Sequence, residues 1–342
     1  MVLIAIDPHK TSHTACALGP SGDELGQLRV EARQREQLLR WAQQWPERRW
    51  AIEGAHGLGH GLAQWLVAHG EAVVDVPARL VARVRLLSGG GKSDPADARA
   101  TGVAAQRAER LHPVVAEDDT VPLRLLTDRR DDLTAERTRT VNRLHRLLRD
   151  LLPGGGPRKL SADEASRLLR RLRPGSAADQ VRLELAKELV TELRALDRKL
   201  LANEARIAAA VRAYGSTLTD LAGVGVIVAA KLIGRSGPMR RFPTAAQYAA
   251  YAGAAPLETS SGDVRRHRLN RRGDLQLNRA LYTAALTQAR MPQTDGYAYV
   301  VRKRQEGKST KEALRCLKRR LANVVYRRLL ADERARGLRA AA

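Results

Sequence analysis

The chain has 342 residues, of which 44% are hydrophobic and only 4% aromatic, so its cores must be built from Leu, Val and Ala, and its length suits about two domains. No uncharged apolar run approaches the roughly 20 residues of a membrane span. The N-terminus meets Asp7 without a basic leader, and Cys16 and Cys316 form neither a disulfide framework nor a zinc set, which excludes secreted, membrane and zinc-finger classes and leaves a cytoplasmic protein.

In chain order, residues 2–7 form an apolar run that reads as a buried strand, and 13–18 and 27–30 follow as antiparallel candidates. Residues 35–44 carry helical spacing at Leu38, Leu39 and Trp41. Strand-like 49–53, helical 59–69 and strand-like 72–77 come next, then helices at 79–87 and 94–109. Three strands in succession, then strand–helix–strand, make a mixed α/β sheet. That order suits a ribonuclease-H-like fold for a domain spanning 1–122.

A helical region is expected over 123–213, with a first helix at 123–152. Later, Leu189, Leu193, Leu196, Leu200, Asn203, Ile207 and Ala210 recur at spacings of three and four, a coiled-coil seam in which Asn203 could fix register. The seam fits an intramolecular hairpin and a dimerising coil equally well. Pro153-Gly154-Gly155-Gly156-Pro157 separates the two helices, followed by a short helix that opens on the capping box Ser161 and Glu164. A mainly helical third region covers 214–342. Its Leu221-Ala222-Gly223-Val224-Gly225-Val226 has the form of a helix-hairpin-helix turn, where Gly223 and Gly225 could turn N–H groups to a phosphate. The last helix opens on a second box, Ser309 and Glu312. It aligns Leu314, Leu317, Leu321, Val324 and Leu329, and its Ala/Arg-rich tail after Glu333 reads as frayed.

The net charge of +23 is unevenly placed. Residues 1–125 hold 15 basic and 15 acidic side chains, whereas 126–342 hold 45 and 22. A polyanion-binding region is thus joined to a neutral one.

Asp7 and Glu53 each end an apolar strand, where a carboxylate is costly unless paired or bound to a metal. Asp94 and Asp97, three apart at a helix start, project from one face. Each acid alone also fits a structural role, as a turn residue, a salt-bridge partner or an N-cap. Together, if the strands are neighbours, they make a hard-oxygen site suited to Mg²⁺ and phosphoryl transfer. Gly89-Gly90-Gly91-Lys92-Ser93 mimics the end of a P-loop, but Leu86 stands where that motif needs glycine. Farther on, Ser260-Ser261-Gly262 leads into Arg265, Arg266, Arg268, Arg271 and Arg272. A serine among arginines can attack a phosphodiester, though a Ser-Ser-Gly turn beside a phosphate-binding strip has the same pattern.

Ile6-Asp7-Pro8-His9-Lys10, Ile52-Glu53-Gly54 and Lys92-Ser93-Asp94-Pro95-Ala96-Asp97-Ala98 together resemble the DEDD motif of the insertion-sequence-110 transposases, the bridge-RNA-guided recombinases. Leu221-Ala222-Gly223-Val224-Gly225, Tyr251-Ala252-Gly253-Ala254-Ala255-Pro256, Ser261-Gly262 and Arg272-Gly273-Asp274 continue the resemblance in the family's order. The resemblance implies a RuvC-like N-terminal domain, a helical coiled coil and a C-terminal transposase domain. It implies that Asp7, Glu53, Asp94 and Asp97 hold Mg²⁺. Ser261, which directly precedes the glycine as the family's serine does, would be the nucleophile, ahead of Ser260. The implied partners are element-end and target DNA, a structured guide RNA, and further copies of the chain in a dimer or tetramer at the nucleoid. Lys10, Gly223, Gly225, Arg265, Arg266, Arg268, Arg271 and Arg272 are the expected nucleic-acid contacts. The rival readings are a Holliday-junction-type nuclease using metal-activated water and a non-catalytic nucleic-acid-binding protein.

Overall fold

Alternation along the first strand sends Ile4 and Ile6 to one face of a sheet and Ala5 and Asp7 to the other. This strand, β1 (Val2–Pro8), pairs antiparallel with β2 (Ser12–Leu18), which pairs antiparallel with β3 (Glu24–Glu31). On its other side β1 runs parallel to β4 (Arg48–Glu53), followed by parallel β5 (Val73–Val76) and the short antiparallel β6 (His112–Pro113). The order β3-β2-β1-β4-β5-β6 with these directions is the mixed sheet of a ribonuclease-H-like fold, as expected. The computed structural model describes residues 1–88, 93–258, 267–268, 270 and 273–341, in two units, Met1–Glu117 and Asp118–Ala342.

In the first unit, α1 (Glu36–Ala42) and α2 (His60–Ala68) cover one face. Leu38, Leu62 and Leu66 pack there on Ile4, Ile6, Trp50 and Ile52. Full burial of each such side chain is worth about 1.5–3 kcal/mol. α3 (Ala78–Ser88) and α4 (Asp94–Arg107) cover the other face, against Ala51, Val74 and Val76. α4 lies unusually close, because the residues it turns to the sheet are small. A Cβ on Gly102 would sit 2.4 Å from Leu18 Cδ1 and 3.1 Å from Ala5 Cβ.

The second unit opens with α5 (Thr120–Leu151), α6 (Ala162–Arg170) and α7 (Ala177–Tyr214). The capping box forms, with Ser161 N–H donating to Glu164 at 2.9 Å and Glu164 N–H to Ser161 at 3.2 Å. α5 and α7 pair as an intramolecular antiparallel hairpin. Leu144 and Leu148 meet Leu183, Ala186 and Leu193 at one end, Arg137 pairs Asp197 at 2.6 Å midway, and Asn203 donates to the Leu126 carbonyl at 3.2 Å near the other. Of the two arrangements open to the Leu189–Ala210 spacing, the chain itself supplies this one.

Five helices and a small hairpin complete the unit: α8 (Val226–Ser236), α9 (Ala245–Tyr251), β7 (Leu257–Glu258) with β8 (His267–Arg268), α10 (Leu275–Gln288), α11 (Asp295–Gln305) and α12 (Thr310–Ala341). They share one core with Leu123, Ile207 and Val211 of the long helices. The expected fraying after Glu333 is not what the structure holds. Helix α12 continues to Ala341, because Asp332 accepts from Ser216 Oγ at 2.7 Å and Thr217 N at 3.0 Å. Glu333 takes Met239 N–H at 2.8 Å, and the Arg336 guanidinium lies 3.6 Å from the Tyr214 ring centre. Among the described residues, no helix is long and apolar enough to cross a membrane.

Candidate metal centre and nucleic-acid contacts

Ile6 and Ile52 are partners in the parallel β1–β4 ladder. One residue further along each strand, Asp7 and Glu53 therefore reach the same edge on the same face, the face that α4 covers. α4 is started by Ser93, whose hydroxyl accepts the Ala96 N–H at 3.4 Å, and its first turn presents Asp94 and Asp97. Asp7 and Asp97 are buried, at 7% and 6% exposure. All four acids predicted from the sequence thus meet where the strand ends face the start of α4.

Basic groups hold them. Arg85 of α3 lies 2.8 Å from Asp97 and 3.1 Å from Glu53, bridging the two. His9 stands between Asp7 (3.6 Å) and Asp94 (3.8 Å), and Arg29 pairs with Asp94 at 2.7 Å. Burial pushes the Asp7 carboxyl above its ordinary value; Asp97 and Asp94 push the same way, while His9 and Arg85 oppose them. Burial raises Glu53 too, with Asp7 and Asp97 adding to it against Arg85 and the Thr101 hydroxyl. Like charges are crowded together here in a partly dry site.

The buried Asp7 Oδ2 accepts no hydrogen bond among the described residues, with only the His9 ring 3.6 Å away, although burying a carboxylate oxygen without a hydrogen bond is costly. One ligand atom each from Asp7, His9 and Asp94 lies within 4.8 Å of the others. An acidic cluster with an unsatisfied inward oxygen fits a hard divalent cation, which prefers oxygen ligands and tolerates an imidazole.

Arg85 supplies positive charge to this cluster from α3. Replacing it by Met should leave Glu53 and Asp97 without that charge and destabilise the divalent-free protein by about 1–3 kcal/mol. A divalent cation should recover part of the loss. Thermal melts of parent and Arg85→Met, with EDTA and with Mg²⁺, check this; an equal loss in both conditions would show that Arg85 does not share the carboxylates with a cation.

Of the other predicted site residues, Lys10 is exposed in the turn after β1, and Arg268 is exposed on β8. Ser261, Ser260, Arg265, Arg266, Arg271 and Arg272 lie outside the described residues, as do Gly89 to Lys92 of the P-loop look-alike. Gly223 has a packing explanation. Its φ is +76°, and a Cβ would come 2.8 Å from the Ala284 carbonyl of α10. Gly225 begins α8 with nothing among the described residues within 4 Å of its missing Cβ. Sequence reasoning did not single out Arg85, Arg29 or His9 as members of the site. His9 stood inside a quoted motif, whereas Arg85 and Arg29 carry no spacing that ties them to the acids.

Comparison with known proteins bears on the whole chain. A sequence model of the DEDD transposases of IS110 matches residues 4–153, and one of the transposase IS116/IS110/IS902 family matches residues 215–300. The uncharacterized 44.8 kDa protein of insertion element IS116 from Streptomyces clavuligerus is 28% identical over 97% of this chain and 95% of its own. The uncharacterized 42 kDa protein of IS900 from Mycobacterium paratuberculosis is 29% identical over 81% of each. Among solved structures, Thermus thermophilus RuvC in complex with a Holliday junction substrate is similar at 20% identity and a TM-score of 0.28, covering 33% of this chain and 99% of that one.

Proposed function

The chain belongs to the IS110 family of transposases, enzymes that act on DNA, and we propose that it is an RNA-guided recombinase that moves its element by strand exchange through a serine–DNA ester. The observation that carries this reading is the convergence of Asp7, Glu53, Asp94 and Asp97 around an unsatisfied carboxylate oxygen.

Those four acids would hold Mg²⁺, which when bound supplies Lewis-acid stabilisation to negative charge developing on a phosphate. The chain's own groups do the rest. Ser261 Oγ attacks phosphorus, the bond from phosphorus to the 3′-oxygen breaks, and the serine proton is lost while the departing 3′-oxygen gains one. The strand is then a phosphoserine ester at its 5′ side and a free hydroxyl at its 3′ side. Attack of another strand's 3′-hydroxyl on the ester reverses these changes and returns the serine. Each transesterification trades one phosphodiester for another, so no high-energy cofactor is consumed. Arg265, Arg266, Arg268, Arg271 and Arg272 would neutralise the phosphates on either side, in the half of the chain that carries the whole net charge.

The test is reconstitution on labelled element-end DNA with target DNA and Mg²⁺, with and without RNA transcribed from the sequence flanking the gene. A covalent protein–DNA band and recombinant product are expected only with the RNA. Cleavage without an adduct would instead assign a nuclease using water.

A further inference from the structure

The second unit contains a cavity of about 490 Å³ between the end of α9, α11 and α12. Arg315, Lys318, Arg319 and Arg320 of α12 stand around it, and none of them forms an ion pair with a carboxylate among the described residues. Their placement is built in. Lys318 donates to Asn278 Oδ1 at 3.0 Å, and the Asn278 amide is fixed by the carbonyls of Ala252 (2.9 Å) and Gly253 (2.8 Å). Arg319 is held by Asn323 one turn on. Burial and the charge of Arg315 push the Lys318 ammonium below the ordinary lysine value, a strain that an entering anion relieves.

Besides Asn270 and Asn323, the remaining wall is aromatic and apolar. Tyr299 lies there with the Arg302, Lys303 and Arg320 cations 5.2, 5.7 and 5.4 Å from its ring centre, and Ala254, Ala255 and Pro256 add apolar lining. Cations with no carboxylate partner among the described residues suit a phosphate, and a tyrosine beside a guanidinium plane offers a surface on which a base stacks. The volume is within the roughly 300–1,000 Å³ of small-ligand sites, which is too small for a duplex and sufficient for one nucleotide. In sequence, the cavity wall borders the segment that carries the proposed chemistry. Pro256 and Asn270, both in its wall, flank the segment that carries Ser261, and five residues of chain reach at most about 18 Å. Helix α12 lies beyond the residues that either family model matches.

We propose that this cavity is a single-nucleotide subsite for an unpaired stretch of the DNA strand, taking a backbone phosphate on Arg315, Lys318 and Arg319 and its base against Tyr299. The proposal rests on the DNA reading above and adds to it where an unpaired strand is gripped beside the serine segment.

The protein carries its own reporter. Cys316 lines the cavity, whereas Cys16 is fully buried with its thiol pushed up to about 12 by burial and the charge of Glu24. Alkylation by iodoacetamide, read by peptide mass spectrometry, therefore reports cavity occupancy at Cys316 alone. The experiment uses full-length Ser261→Ala protein with EDTA, so that no covalent chemistry intervenes, and single-stranded DNA, duplex, RNA of the same sequence, or thymidine monophosphate. Single-stranded DNA at ten times its Kd should slow Cys316 alkylation about tenfold. Lys318→Gln should lower the slope of log affinity against log salt by about one, and Tyr299→Ala should weaken binding about tenfold with the slope kept. Tight DNA binding with Cys316 still reactive would overturn the subsite and leave the DNA reading standing. Equal protection by duplex, or protection by RNA alone, would also overturn it, whereas protection by thymidine monophosphate at higher concentration supports a site of one-nucleotide size. No DNA binding at any salt concentration would overturn both readings.

Discussion

Asp7→Asn should reduce metal-dependent strand cleavage by about a thousandfold or more while leaving the fold intact. The side chain sits at the end of β1 with one oxygen unsatisfied, so the substitution removes a ligand charge and almost no volume. Its effect on stability should have the opposite sign. Burial raises the Asp7 carboxyl above 3.8, which means that ionising it costs the metal-free fold. Below the ordinary value both folded and unfolded chains are protonated and the cost is absent. It grows as pH rises through the interval and is fully present above the raised value. Without divalent cations, Asp7→Asn should therefore melt at or above the parent's Tm at pH 7, and the two curves should converge as pH falls below the carboxylate range. Mg²⁺ should raise the Tm of the parent and raise that of the variant much less. Cleavage assays and thermal melts over pH together check this. Full activity in Asp7→Asn would remove the residue from the site, and a lower metal-free Tm would make it structural.

Ser261→Ala should abolish the covalent adduct completely while binding nucleic acid within about twofold of the parent. Loss of one hydroxyl removes the attacking oxygen, whereas electrostatic affinity comes from many phosphate contacts and does not depend on it. Ser260→Ala separates chemistry from turn geometry, because it should retain most of the adduct. Denaturing gels of the three proteins on labelled element-end DNA, with guide RNA and Mg²⁺, decide the assignment. An adduct that survives in Ser261→Ala and vanishes in Ser260→Ala would move the nucleophile one residue upstream. Two mildly affected variants would reduce the segment to a turn.

The strand ends that carry Asp7 and Glu53 were legible because a short apolar run marks a buried strand, and a terminal acid breaks it visibly. The ladder partners Ile6 and Ile52 were not, since register depends on tertiary pairing that no local pattern records. Arg85 was hidden for a related reason. It belongs to a different helix from Asp97, and only the packing of α3 beside α4 brings them to 2.8 Å. Strand β6 is two residues long, too short for any period, and is anchored next door by Val114 N–H donating to Val73 at 2.8 Å. Helix α9 did leave a trace that was not used. Thr244 caps Gln247 at 3.3 Å, a spacing of three that opens a seven-residue helix around buried Tyr248. The tail after Glu333 looked unanchored because the partner of its Arg336, Tyr214, is more than a hundred residues away in sequence, as are Ser216 and Thr217, which hold Asp332 just before it.

The closeness of α4 to the sheet gives the acidic cluster a footprint in the gene far wider than four codons. Ala98 and Gly102 are inert, yet any added volume there lifts the element that bears Asp94 and Asp97 away from the one that bears Asp7. A collection of spontaneous loss-of-function alleles should accordingly be enriched at these small positions. Many would encode protein that accumulates normally and carries every acid, and they would read as active by inspection of the motif alone. Counting intact carboxylates is thus a poor way to sort living copies of such an element from dead ones. The helix between them keeps the better record.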